Sequence, residues 1–135
     1  MKENLKGPKV ENVSVAIVQT EIEGVLCYYA YLISQRDDIM EGIIIASTGY
    51  GQNTKTGEKI RTSTLRHCIE LLLPNEAAKI ESIMPEVFGL SNEYWVSFWV
   101  NDVMYDKRFV FPAESVSETN MSLVPSLGLQ GVIIK

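Results

Sequence analysis

The chain of 135 residues holds one histidine, His67, and two cysteines, Cys27 and Cys68. That scarcity removes several chemistries at once. A zinc site takes three or four Cys, His or carboxylate ligands, and here neither a CxxC spacing nor a histidine cluster offers them. No metal or other cofactor is expected, and the cysteines read as free, buried thiols. No apolar run approaches the roughly 18 residues of a membrane span, and the opening MKENLKGPKVENV lacks the apolar core of a secretion signal. The expectation is a cytoplasmic protein without a membrane partner. Basic residues are outnumbered, 12 against 17 acidic ones, for a formal charge of −5. Such a surface repels phosphates at long range, so nucleic acid is a disfavoured partner. Repeats, low-complexity tracts and linkers are also missing. The organisation this leaves is a flexible lead over 1–9 and a single globular domain over 10–135, long enough to bury about two-thirds of its unfolded surface.

What the chain does hold is strand-forming sequence. Val13, Val15 and Ile17 alternate with Ser14, Ala16 and Val18; Glu21 to Gly24 reads as a turn, and Val25 to Ser34 returns dense in Tyr28, Tyr29, Tyr31 and Ile33. Gly42 to Ala46 is apolar on both faces, which predicts a central strand covered on both sides. Asn75 followed by Glu76-Ala77-Ala78-Lys79-Ile80-Glu81 has the cap and acidic first turn of a short helix, with a strand over Lys79 to Met84 as the alternative. Tyr94 to Val100 and Tyr105 to Phe111 form a second hairpin turned at Asn101-Asp102, aromatic enough to supply much of the core. Val132 to Ile134 is a last short strand. The fold class expected is α+β, mainly antiparallel β: a curled sheet or sandwich of about seven strands with one or two short helices.

Candidate chemistry gathers between Glu41 and Leu73. A polar loop over 48–59 carries Gly49, Gly51 and Gly57, but the spacing is not that of a P-loop, and Gly49-x-Gly51 lacks the third glycine of a dinucleotide site. The glycines therefore serve the backbone of a long hairpin loop. Arg61, Arg66 and His67 beyond it, with Tyr50 and Lys59 in the loop, form the candidate binding set for a small anionic ligand. No catalytic residue is assigned. Cys68 and His67 are neighbours on an extended chain and point to opposite faces, and there is no GxSxG elbow. Trp95 and Trp99 share a face with Ser97 and Asn101, a half-polar surface suited to a partner.

The combination of Gly49-Tyr50-Gly51, RTSTLRH from Arg61, PEVFGLSNEYWVSFWV from Pro85 and YDKRFVF from Tyr105 resembles a small uncharacterised family of bacterial proteins, mostly from Bacteroidetes. Members have been labelled phenylalanyl-tRNA synthetase alpha subunit. The resemblance implies a stand-alone domain and supplies no catalytic residue, because a synthetase domain is far longer and neither Arg61 nor Arg66 lies in a class II motif context. The function expected is a non-enzymatic binding or regulatory domain acting through protein contacts, including self-association. The alternative is a small-molecule enzyme or anionic-ligand-binding protein with a pocket under the 48–59 loop; association with the translation apparatus is a weaker one.

Overall fold

Alternation in the first two runs is realised as strands β1 (Val13–Ile22) and β2 (Val25–Ser34), joined by Glu23 and Gly24 in a computed structural model that describes residues 7–135. Both turn residues have positive φ, 51° and 81°, the turn geometry whose twist matches that of the flanking strands. Of the expected flexible lead over 1–9, the first six positions lie outside the described residues. β1 pairs on its other side with β10 (Leu129–Ile134), which pairs with β9 (Ser122–Val124); β2 pairs with β6 (Ala77–Ile83). The order of this first sheet is β6-β2-β1-β10-β9.

The second sheet is built on β3 (Met40–Gln52). On one side β3 takes β4 (Lys59–Arg61) and β5 (Leu65–Leu72), and on the other β7 (Ser91–Val100) followed by β8 (Val103–Phe111). Every pairing is antiparallel. The mainly antiparallel class is therefore right, but the described residues form ten strands rather than about seven. Helix is confined among them to short 3-10 turns at Pro85–Gly89 and Glu118–Asn120.

The helix expected from Asn75 is a strand. Asn75 has φ 61°, outside the extended region a helix cap requires, and the backbone turns so that Glu76 N donates to the Leu73 carbonyl. In β6, Ile80 is the extra residue of a bulge against Ala30 and Tyr31 of β2. A bulge resets the alternation, so Ile80 and Ile83 both turn inward although three residues apart. Helical spacing in the sequence is here the mark of an interrupted strand.

The polar loop is also shorter than its composition suggests. β3 runs on to Gln52 and β4 begins at Lys59, leaving a connection in which Asn53 Oδ1 accepts from the backbone of Lys55 and Thr56. β3 is central, as expected, yet it is not covered on both sides. Ile43 and Ile45 are buried between the sheets, whereas Ile44, on the outer face, is 47% exposed.

Between the sheets, Val15, Ile17 and Leu32 of the first meet Ile45, Val96, Phe98, Phe109 and Phe111 of the second. The Tyr94 and Phe111 rings meet edge-on, 6.0 Å apart. Where the chain crosses from β2 to β3, Arg36 grips Asp38 at 2.7 and 2.9 Å, donates to the Glu11 carbonyl at 3.0 Å and lies over the Tyr105 ring. The thiols are free, but not buried as expected: Cys27 is half-buried and Cys68 exposed, each on a strand face the other sheet does not cover.

Close approach of β10 to β1 depends on Gly131. A Cβ there would lie 2.5 Å from the Ile17 carbonyl oxygen and 2.8 Å from Val18 Cγ1. Gly131→Ala should lower the free energy of unfolding by about 3 kcal/mol in urea titrations. Gly24→Ala meets open space and only the strain of its positive φ, and should cost about 1 kcal/mol.

Candidate functional site

Because Ala30 faces the core, its cross-strand neighbour Glu81 faces the core too. The carboxylate reaches across to the opposite sheet. Its Oε1 accepts from Ser47 Oγ of β3 at 3.0 Å and lies 2.8 Å from His67 Nε2 of β5, while Oε2 accepts from the Tyr94 hydroxyl of β7 at 2.8 Å. One side chain thus meets three strands. Beside it opens a cavity of about 260 Å³. Ser47, Glu81 and Tyr94 line it, and Leu65, Ile83, Met84 and Val87 supply apolar wall.

Tyr94 is the group most altered by this setting. Burial, then the negative charge of Glu81 and the hydrogen bond to it, hold the phenol well above its ordinary value of 10.0. His67 lies behind Glu81 and is not part of the cavity wall. The arrangement brings the Glu81 carboxylate and the Ser47 and Tyr94 hydroxyls bonded to it to the wall of a cavity that can hold a small ligand.

The residues singled out from sequence are divided by the sheet. His67 points inward to Glu81, and its neighbour Arg66 points outward, as alternation requires. Tyr50, Lys59 and Arg61 belong to the strand pair β3–β4 rather than to a free loop, with Arg61 directly opposite Tyr50. The Tyr50 hydroxyl accepts from Arg108 Nη2 at 3.1 Å, and Arg108 Nε donates to Glu93 at 2.6 Å. Tyr50 and Arg66 therefore share the outer face of the second sheet, and His67 is separated from them. Glu81, Tyr94 and Ser47 were not anticipated as a cluster. Reading 79–84 as a strand would have placed Glu81 beside Ile83 on an inward face, the one available sign of a buried carboxylate seeking donors.

The outer face of the second sheet carries the other candidate. Strand registers set its side chains in rows: Cys68, Ile44, Ser97, Asp106 in one and Arg66, Ala46, Trp95, Arg108 in the next. Trp95 and Trp99, the chain's two tryptophans, are 45% and 46% exposed there, beside Ile44 and Met104. The outer face of the first sheet differs. There Ala16, Val18 and Ile33 lie fully covered under Tyr29, Tyr31 and Leu129, and the Lys79 ammonium lies 4.0 Å from the Tyr29 ring centre.

Among the described residues no group of three or more His, Cys, Asp or Glu could hold a metal ion, and no helix is long and apolar enough to cross a membrane. The chain matches no known protein family and no curated protein.

Removing the Glu81 carboxylate strands three polar partners, two of them largely buried. Glu81→Ala should cost about 3 kcal/mol in chemical unfolding. Tyr94 sets an alkaline limit. Above pH 10 the unfolded chain releases this phenolic proton and the folded chain keeps it, so stability falls as pH rises. Tyr94→Phe should flatten that alkaline slope while costing about 2 kcal/mol near neutrality through the lost hydrogen bond. Absorbance titration of the wild type should show one of the six tyrosines ionising only as the chain unfolds.

Proposed function

We propose that this chain is a non-enzymatic binding domain that acts through protein contacts over the outer face of its second sheet. The observation that carries the proposal is the pair of half-exposed tryptophans on a four-stranded surface, set among Ile44, Arg66, Arg108 and Asp106. Large apolar side chains in water are tolerated singly, but a contiguous patch rimmed by charge is the composition of a contact surface. Tryptophan and arginine are the residue types that dominate binding energies at such surfaces. The first sheet shows what an outer face without this role looks like, since its small central residues are capped by its own tyrosines.

A second reading draws on the cavity beside Glu81. Its wall contains Glu81 and Glu93 but, among the described residues, no lysine or arginine. Lys59, Arg61 and Arg66 stand outside it. A small ligand there would be one that brings hydrogen-bond donors or positive charge rather than an anion.

The face reading is tested with tagged wild-type protein and two variants as baits in cell extract. Ile44→Glu and Trp95→Ala should lose, by roughly tenfold or more, the protein that wild type retains. Val25→Ser, exposed at the far β1–β2 hairpin, should keep it. The recovered partner, once purified, should shift the tryptophan emission to the blue, because both fluorophores leave water on docking. Recovery indifferent to both face variants would overturn the proposal. Both substitutions should cost no more than about 1–2 kcal/mol of stability, since these side chains already stand half in water.

A further inference from the structure

Resting on the reading of this face as a docking surface, we infer that its occupant is a second copy of the same chain, packed face to face about a twofold axis that runs across the strands. A twofold contact uses one patch twice, so the patch must complement itself. The strand registers provide three successive rows on which to judge this. The middle row is Cys68, Ile44, Ser97, Asp106. On one side lies Arg66, Ala46, Trp95, Arg108, and on the other Leu71, Glu41, Trp99, Met104. Glu70 belongs to the last side, facing outward because Ile69 packs into the core.

An axis along the middle row exchanges the two outer rows. Trp95 then lies over the partner's Trp99, and Trp99 over the partner's Trp95. Arg66 meets the partner's Glu70, and Glu41 meets the partner's Ala46 rather than a like charge. Ile44, on the axis, meets itself and completes an apolar centre of six large side chains from the two copies. A twofold axis running along the strands instead sets β5 over β8 and Arg66 against the partner's Arg108, which repels. Of the charged side chains in these rows only Asp106 opposes its own copy in the favoured arrangement, at the exposed rim where water screens it.

The size of the face sets the strength. Four strands about 4.8 Å apart and about nine residues long give roughly 600 Å² per copy, near the lower end of specific interfaces, so the pair should be weak and concentration-dependent.

The experiment is sedimentation velocity over a concentration series, using the full chain. Wild type should show reversible association that Ile44→Glu abolishes. Arg66→Glu alone sets negative charge against the partner's Glu70, and Glu70→Arg alone sets positive charge against the partner's Arg66; each should weaken self-association by roughly tenfold. Mixed together, the two variants should associate as wild type does, because every crossed pair is then of opposite sign. Asp106→Asn should tighten the wild-type pair. A short bismaleimide should link Cys68 to the partner's Cys68, whereas Cys68→Ser should leave only monomer, since Cys27 lies on the other sheet. A disulfide should not form directly, because sheets stack about 10 Å apart and a disulfide holds its Cα atoms closer, within about 7 Å.

Wild type that stays monomeric throughout, association unaffected by Ile44→Glu, or mixed variants that fail to recover would each overturn this inference. If wild type is monomeric but the face variants still lose a different protein from extract, self-docking fails and the proposed function stands. Loss of neither effect by the variants removes both.

Discussion

One carboxylate, that of Glu81, is the polar link between the two sheets, and much of the fold's geometry can be read from what it requires. It projects from β6, at the edge of the first sheet, and takes hydrogen bonds from β3, β5 and β7 of the second. A charged acceptor away from water is tolerated when its lone pairs are filled, and three are filled here. The bulge at Ile80 matters for the same reason: it lets β6 turn Ile80 and Ile83 inward on either side of Glu81, closing apolar surface around a polar contact. Arg36 plays the equivalent part at the crossover from β2 to β3. Its Asp38 partner holds the charge, and that hydrogen bond, with its attraction, raises the guanidinium further above its ordinary range and lowers the carboxyl.

With its two sheets joined in this way, the sandwich still has two outer faces to manage. Sheets of this kind commonly leave one side wet. On the first sheet alanine and valine sit at the centre of β1, and the longer side chains of β2 and β10 lean over them. On the second, the centre of the surface is Ile44 with the two tryptophans above and below it, and nothing in the described chain lies across them. Arg66 and Arg108 fall on this face and not in the cavity. The same face carries Glu41 and Asp106, so it presents charges of both signs in a fixed pattern that can orient a partner.

Much of the architecture was legible because period-2 runs are direct evidence of strands. β2 appears in the sequence at its observed bounds and β8 nearly so, while β1 runs on to Ile22 and β7 begins at Ser91, through residues whose polarity reads as turn; the Asn101-Asp102 turn announces itself, with φ 48° and 65°. The failures have separate physical causes. A bulge disguised β6 as a helix, and the polar composition of 48–59 hid the fact that β3 continues to Gln52 and β4 starts at Lys59. β9 is three residues long, too short for any pattern. For the site, the sole histidine could be placed on the face opposite Cys68, and the tryptophans could be placed together on one face. Its partner Glu81 could not be found, because the contact spans 14 residues and two sheets, and no local pattern encodes which carboxylate crosses the core.

The cavity and the tryptophan face are built from the same strands, which raises the question of whether one could control the other. Ser47 and Tyr94 face the cavity; Ala46 and Trp95, their chain neighbours, face outward. Shared strands do not by themselves couple sites, since coupling requires an element with two arrangements of similar free energy. β3 and β7 offer no such element. Both are paired on each side, and their inner residues Ile45, Val96 and Phe98 are fully buried in a packed core that resists displacement. The alternation that places a pocket and a contact surface back to back therefore gives them a common packed wall, and a side-chain link between them runs through Glu93, which lines the cavity and holds Arg108 of the tryptophan face.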